Sequence, residues 1–456
     1  MTQAQSSLEF IPPAYNSAVW QIAKGILPFW LRYTQHIDRV KIDNAQELVE
    51  LYNRFEAGEM RFMLAFRHPA VTDPPCITQL LWNQLPQIAQ KQGTELRSPI
   101  HAHFVYDRGI PLWAGEQIGW LISRLGGTPI RRGTLDRVGL RSIRHLFVNG
   151  QFPMAAAPEG ATNGHNEIVS PIEPGIAQFG FWCQEDLIKA QRSEAVAIAP
   201  LGVRYFYYTA PWQGLEKLLS QLELDSGFKS TPSRSLGLVN GVTPTPTQEQ
   251  DLYQRLYSLA EYLLSLMEDF YRQFYQQQLA TPDSGLATRL QTLLNAALQV
   301  TETAFGVKPN GNLSDRCRRV EQAGWNRIYR DDLEQLEELA PGVRGLADLV
   351  ASEAEIRLWH MRLVETFVSV TGHYVAETYT VERFADTILL LWKMMAKLKG
   401  KSNPSPPDLG KRWVQLTAMP SLYLADYWQE YQDHRRQGVA HLTQDLQQAL
   451  AKSIKD

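Results

Sequence analysis

Cysteine is scarce in this chain of 456 residues: Cys76, Cys183 and Cys317 lie far apart and make an odd number. That spacing fits neither a disulfide framework nor a paired-cysteine metal site, and it suits a reducing compartment. Excess charge of one sign is lacking too, because 45 Lys and Arg face 48 Asp and Glu for a formal net charge of -3. Such a balance argues against a strongly basic nucleic-acid binder, so no nucleic-acid partner is expected and local patches decide what is bound. No basic-then-apolar leader opens the sequence, and no run of eighteen apolar residues is present. Membrane contact is therefore expected to be peripheral, from the cytoplasmic side. Gly-x-Ser-x-Gly is absent and no cysteine has a persuasive histidine partner, which disfavours a covalent intermediate on the enzyme.

Aromatic residues, by contrast, are plentiful, with 12 Trp, 18 Tyr and 17 Phe. In segment 1–44, Trp20, Ala23, Leu27 and Trp30-Leu31 recur at helical spacing, with Gln21, Lys24 and Arg32 between them and Pro28 as a kink. The same stripe suits an interfacial helix or a helix packed on the protein's own core. From about residue 45 to 210, within a domain expected over 45–224, short apolar runs alternate with helical patterns. Met60–Phe66 reads as a strand, and so do His101–Tyr106, Thr128–Arg131, Met154–Ala157, Ala195–Ala199 and Gly202–Tyr208. Ile77–Gln90 and Ala114–Leu125 read as helices, the latter closed by Gly126-Gly127, and Thr134 is placed to cap another that ends near Gly150. Alternation of this kind predicts an α/β domain, a mixed sheet flanked by helices. Residues 225–250, rich in Ser, Thr, Pro and Gly, read as a linker, and 251–456, including Leu333–Leu339, as an appended all-helical domain.

Four segments carry candidate chemistry. His68 and Asp73 stand five apart in Arg67-His68-Pro69-Ala70-Val71-Thr72-Asp73-Pro74, where prolines end the preceding strand. A carboxylate accepting the imidazole Nδ1–H leaves Nε2 free to take a proton, the arrangement of a general base with its orienter. Gly126-Gly127-Thr128-Pro129-Ile130-Arg131-Arg132 allows a tight turn before a strand that delivers Arg132, a side chain whose planar guanidinium suits a phosphate. Pro158-Glu159-Gly160 leaves an apolar strand by a turn, and Val196-Ala197-Ile198-Ala199-Pro200 reads as a strand ending in proline.

In this order and spacing the segments resemble the glycerol-phosphate and lysophosphatidic acid acyltransferase family, with its H-x4-D, G-x-x-x-[IV]-x-R, P-E-G and apolar-strand-to-proline signatures. The resemblance covers about residues 45–210. It implies transfer of a fatty acyl group from acyl-CoA or acyl-carrier protein to the hydroxyl of a lysophospholipid or glycerol phosphate, without a metal or resident cofactor. By that resemblance His68 and Asp73 are catalytic, Arg132 binds a phosphate, Glu159 and Gly160 help to bind the acceptor, and Pro200 supports the site. Two positions depart from the family pattern. Ala161 and Thr162 follow Pro-Glu-Gly where Thr-Arg is common, and Arg67 stands where a small polar residue usually precedes the histidine. Arg67 or Arg131 is a candidate replacement for the missing positive charge; an acceptor of another kind, such as a different lysolipid or a neutral alcohol, is the alternative. A non-catalytic lipid-binding or scaffold role is the alternative from another class. His101 and His103 share a strand face without a third ligand, so no metal is expected there. Arg137, Arg141 and Arg144 follow helical spacing and form either a basic face for anionic groups or a solvated one. His360 and His373 read as core or surface residues.

Overall fold

The computed structural model describes residues 2–133, 135–228, 235–330, 332–333, 338–401 and 404–454. In chain order its elements begin β1 (Gln5–Ser6), α1 (Ser17–Tyr33), β2 (Ile37–Asp43), α2 (Ala45–Glu56), β3 (Met60–Phe66), α3 (Asp73–Gln79), α4 (Leu85–Lys91) and β4 (His103–Asp107). A π-turn, Leu80–Gln84, joins α3 to α4. Next come α5 (Ile110–Ala114), α6 (Glu116–Arg124), β5 (Thr128–Ile130), α7 (Arg137–Asn149), β6 (Met154–Ala156), α8 (Gly175–Lys189) and β7 (Ala195–Tyr207). A helical series follows: α9 (Trp212–Ser226), α10 (Pro246–Tyr275), α11 (Leu286–Phe305) and α12 (Leu313–Ile328). After β8 (Tyr329–Arg330), α13 (Pro341–Phe367), α14 (Tyr374–Glu377) and α15 (Val381–Leu398) complete it. The chain closes with β9 (Arg412–Ala418), β10 (Leu422–Tyr423), α16 (Leu424–Asp433) and α17 (Arg435–Lys452).

These elements form two compact units, one of Phe10–Arg131, Asp136–Tyr208 and Gly410–Asp456, the other of Met1–Glu9, Arg132–Leu135 and Thr209–Leu409. The first is α/β. Its eight-stranded sheet runs β2-β9-β7-β3-β6-β4-β5 with β10 added beside β7. Pairing is parallel throughout that path except between β7 and β9, and β10 is also antiparallel to β7. Strand alternation sends successive β3 residues to opposite faces. Phe62, Leu64 and Phe66 join a core with α1, α2 and α3, while Met63 and Ala65 join one with α7, α8, α16 and α17. Burial on both faces explains why β3 and β7 read as near-continuous apolar runs.

The last segment corrects the expected all-helical domain. Arg412–Ala418 is a strand lying between β2 and β7, and residues 410–456 belong to the α/β unit. Gly202 in β7 permits this return, since a Cβ there would lie 2.4 Å from the Ser453 Oγ that follows α17. Two smaller readings change as well. β7 runs on through Pro200, whose carbonyl accepts from Met419 N–H at 3.0 Å. The cap of α7 is Asp136, which accepts from Gly139 N–H; Thr134 lies outside the described residues, as does most of Leu333–Leu339.

The second unit is helical, with one short parallel pair, β1–β8. Its α12 and α13 approach closely at Gly324, where a Cβ would meet Leu358 at 2.6 Å. Buried bidentate pairs, Arg289 with Glu268 and Arg316 with Glu302, tie α10 to α11 and α11 to α12. The described residues of 225–250, expected as a linker between domains, lie inside this unit, where α9 extends to Ser226 and Thr245 caps α10.

Candidate functional site

Four adjacent parallel strands, β3, β6, β4 and β5, end at one edge of the sheet, where chain turns collect the side chains named from sequence. Ligand sites of open α/β sheets lie at that edge because loops there diverge from a rigid base. Arg67 and His68 follow β3, the Pro158-Glu159-Gly160 turn follows β6, and Arg131 follows β5 directly.

His68 Nδ1 lies 2.9 Å from Asp73 Oδ2. A carboxylate only accepts, so Nδ1 carries the hydrogen, and in the neutral ring the lone pair lies on Nε2. The imidazole is 19% exposed and Asp73 is 0% exposed, and Nε2 has no hydrogen-bond partner among the described residues. Asp73 is fixed by more than the histidine. Its Oδ2 also accepts the Ala70 N–H at 2.9 Å, and its Oδ1 accepts the hydroxyl of Tyr205. Three donors compensate the carboxylate for its loss of water. Tyr205 in turn lies 2.9 Å from Thr72 Oγ1. Burial first, and then the Asp73 charge, hold the Tyr205 phenol well above its ordinary range, so it remains a donor at any physiological pH.

Glu159 enters this assembly through the backbone. Its Oε1 accepts the His68 N–H at 2.8 Å, while its Oε2 accepts from Asn163 Nδ2 and the Ser170 N–H, both at 2.8 Å. The Asn163 N–H returns to the His68 carbonyl at 3.3 Å. Glu159 thus fastens the histidine turn to the loop after β6. The expectation that it meets an acceptor gives way to a bracing role, since its carboxylate is 0% exposed. Gly160 makes the turn possible at φ +75°, a region that disfavours any side chain.

Arg67 also braces. Its guanidinium donates to the carbonyls of Asn166 at 2.6 Å, Val203 at 3.2 Å, His165 at 2.8 Å and Ile168 at 2.6 Å, with Glu159 Oε1 3.9 Å from its Nε. The residue is 0% exposed, so a solvent-borne phosphate does not reach it, which corrects its candidacy as the replacement cation. Arg131 is half-buried, and its N–H is held by Asp136 Oδ2 at 2.8 Å. Arg132 falls in the helical unit, its Nη2 lying 3.9 Å from Glu321 Oε2.

The structure therefore gathers His68, Asp73, Glu159, Gly160 and Arg67, and it groups Arg132 apart. Tyr205, Thr72, Asn163 and Asn166 are participants the sequence reading missed. Asn166 pairs with both backbone groups of Tyr205, at 2.8 and 2.7 Å, holding the loop against β7. Only the alternation of β7 hinted at Tyr205, by placing it on the face of Leu201 and Val203.

Several other groups are structural. His101 accepts from Trp82 Nε1 at 2.9 Å and lies 2.6 Å from the Leu125 carbonyl; burial lowers its pKa to about 4. His103 meets the Gly126 carbonyl, and burial lowers its pKa as well. Among the described residues no cluster of three or more His, Cys, Asp or Glu is arranged to hold a metal ion. All three cysteines are buried, and burial pushes each thiol far up, away from nucleophilic thiolate. On α7, Arg144 pairs with Asp186 while Arg137 and Arg141 are exposed. His360 is buried between the Tyr271 and Tyr275 hydroxyls, and His373 is exposed. No protein-family model and no curated protein matches this chain.

Proposed function

We propose that the protein is an O-acyltransferase that moves a fatty acyl group from an acyl thioester, acyl-CoA or acyl-carrier protein, to the hydroxyl of a lysophospholipid or glycerol-phosphate acceptor. One observation carries the reading: a half-buried imidazole aimed by a buried carboxylate, with Nε2 unpartnered among the described residues, at the edge of the sheet where parallel strands end. The four-segment resemblance to the glycerolipid acyltransferases supplies the substrate class.

In the proposed step the acceptor oxygen attacks the thioester carbonyl carbon as His68 Nε2 takes the hydroxyl proton. Asp73 stabilises the imidazolium that results. The tetrahedral centre then collapses, the carbon–sulfur bond breaks, and the proton returns from His68 to the leaving thiolate. The products are an ester and a free thiol. Glu159, Tyr205 and the Ala70 N–H keep the His68–Asp73 pair in register. The enclosure of Arg67, together with Thr162 in place of an arginine, favours a second reading in which the acceptor is a different lysolipid or a neutral alcohol.

Thiol release from an acyl thioester tests both readings, measured alone and with glycerol phosphate, lysophosphatidic acid, a zwitterionic lysolipid and a long-chain alcohol. His68→Ala is expected to leave the fold intact and lower acceptor-dependent release by about 10²-fold or more. Undiminished transfer by that variant removes His68 from the mechanism, and no release with any acceptor favours a non-catalytic lipid-binding role.

A further inference from the structure

The helix α1 has two apolar faces, and the core uses only one of them. Trp20, Ala23, Leu27 and Leu31 pack into the α/β core. Ile22, Ile26, Phe29 and Tyr33 recur at intervals of four, three and four residues on the opposite side, and they are 64%, 59%, 64% and 69% exposed. Successive residues advance 100° around a helix, so those four side chains lie within a stripe of about 60°. Gly25, Ala18, Val19 and the 37% exposed Trp30 flank it, leaving Gln21, Lys24 and Arg32 as the polar strip along one side. A helix apolar on both faces is normally buried on both, so this outward face lacks a cover.

Charge and residue type identify the cover. Between Glu9 and Asp38 the sequence contains no acidic residue, while Arg32 borders the stripe and Lys24 lies on the core side of the helix. Lys24 sits 5.1 Å above the Trp20 ring and Arg32 pairs with Asp38 at 3.0 Å, so both cations are held on the helix. Phe29, Trp30 and Tyr33 at its C-terminal end are the residue types that settle at the boundary between hydrocarbon and headgroups. The helix is 17 residues long, and no helix among the described residues is long and apolar enough to cross a membrane. A helix of this length and pattern lies in the interface plane. It also packs on α3, the helix that Asp73 opens, and Val71, between His68 and Asp73, is exposed.

We infer that the outward face of α1, centred on Ile22, Ile26, Phe29 and Tyr33, seats the protein on an anionic lipid surface. The stripe is the reverse of the one the sequence periodicity singles out: Trp20, Ala23, Leu27 and Leu31 face the core, and the membrane side is the row between them. This inference rests on the helix alone and stands whether or not acyl transfer is the reaction.

Flotation of the full chain with phosphatidylcholine vesicles, with and without phosphatidylglycerol, tests it. Wild type is expected to bind the anionic vesicles, more weakly as salt is raised. Ile22→Glu/Phe29→Glu keeps the wild-type circular dichroism, because both side chains are exposed, and loses at least about tenfold in partitioning. Arg32→Gln weakens binding to anionic vesicles only. His68→Ala binds as wild type, which separates this inference from the catalytic one. Three results overturn it: no binding to either vesicle, undiminished binding by the glutamate variant, or light scattering that shows a dimer dissolved by the glutamate substitutions while vesicle binding is unchanged.

Discussion

Asp73→Asn isolates what the carboxylate contributes. Asparagine keeps the shape but replaces one acceptor oxygen by an amide that only donates. Two orientations compete. In one, the new oxygen takes the place of Oδ2, accepting the Ala70 N–H and the His68 Nδ1–H, both at 2.9 Å in the native protein. The amide then faces Tyr205, whose hydroxyl turns toward Thr72 Oγ1, 2.9 Å away, and accepts. In the flipped orientation the amide faces the Ala70 N–H, a donor fixed in the chain, and two donors confront each other. The first orientation is expected to win, so the histidine keeps its Nδ1–H tautomer and loses only the negative charge beside it. Replacing a charge-assisted hydrogen bond, about 1.5–3 kcal/mol, by a neutral one, about 0.5–1.5 kcal/mol, forfeits about 1–2 kcal/mol. At about 1.4 kcal/mol per decade, acceptor-dependent thiol release falls about 5- to 30-fold. A trapped wrong tautomer, as in a serine–histidine–aspartate triad carrying the same change, costs about 10⁴-fold instead. Nitrogen-15 spectra of the labelled histidine report the tautomer without any substrate. Hydrogen on Nε2 in the variant, or a loss near 10⁴-fold, refutes the reasoning.

Tyr205→Phe removes one donor from Asp73 and leaves the ring packed. The pH profile of transfer is expected to move, with stability down by about 1–3 kcal/mol; an unmoved profile reduces Tyr205 to packing. Arg67→Met strips a buried guanidinium from four carbonyls and from the neighbourhood of Glu159. Urea denaturation is expected to show a loss of about 3–5 kcal/mol, and a change within error contradicts the bracing role. Burial lowers the pKa of His101 and of His165 from 6.5 to about 4, so the unfolded chain binds more protons than the native one in the window between. Their contribution to stability is complete above pH 6.5 and is lost as pH falls toward 4, by about 3 kcal/mol apiece at most. His101→Gln should flatten the pH dependence of the urea midpoint across that window, and an unchanged slope counts against it.

Local order and local chemistry were legible in the chain. Met60–Phe66 is a strand because its apolar run is cut off by Pro69 and Pro74, and the five-residue step from His68 to Asp73 lets a turn bring ring and carboxylate together. Gly126 after α6 and Gly160 in the turn after β6 were fixed in the same way, by φ angles that few residues adopt. What no spacing revealed was which distant groups would meet. Tyr205 reaches Asp73 across 132 residues, and Arg67 reaches carbonyls about 100 and 136 residues away. Arg67 and Glu159 looked like ligand contacts because both are charged and stand beside the histidine and Pro-Glu-Gly motifs; enclosure turned them into braces. The alternation of Arg412–Ala418 was that of a strand, yet only the slot between β2 and β7 gave it partners. On α1, too, periodicity shows that apolar rows exist but not which row meets the core. Periodicity and turn chemistry act over a few residues, whereas burial and hydrogen-bond partnership depend on contacts that exist only once the chain has closed on itself.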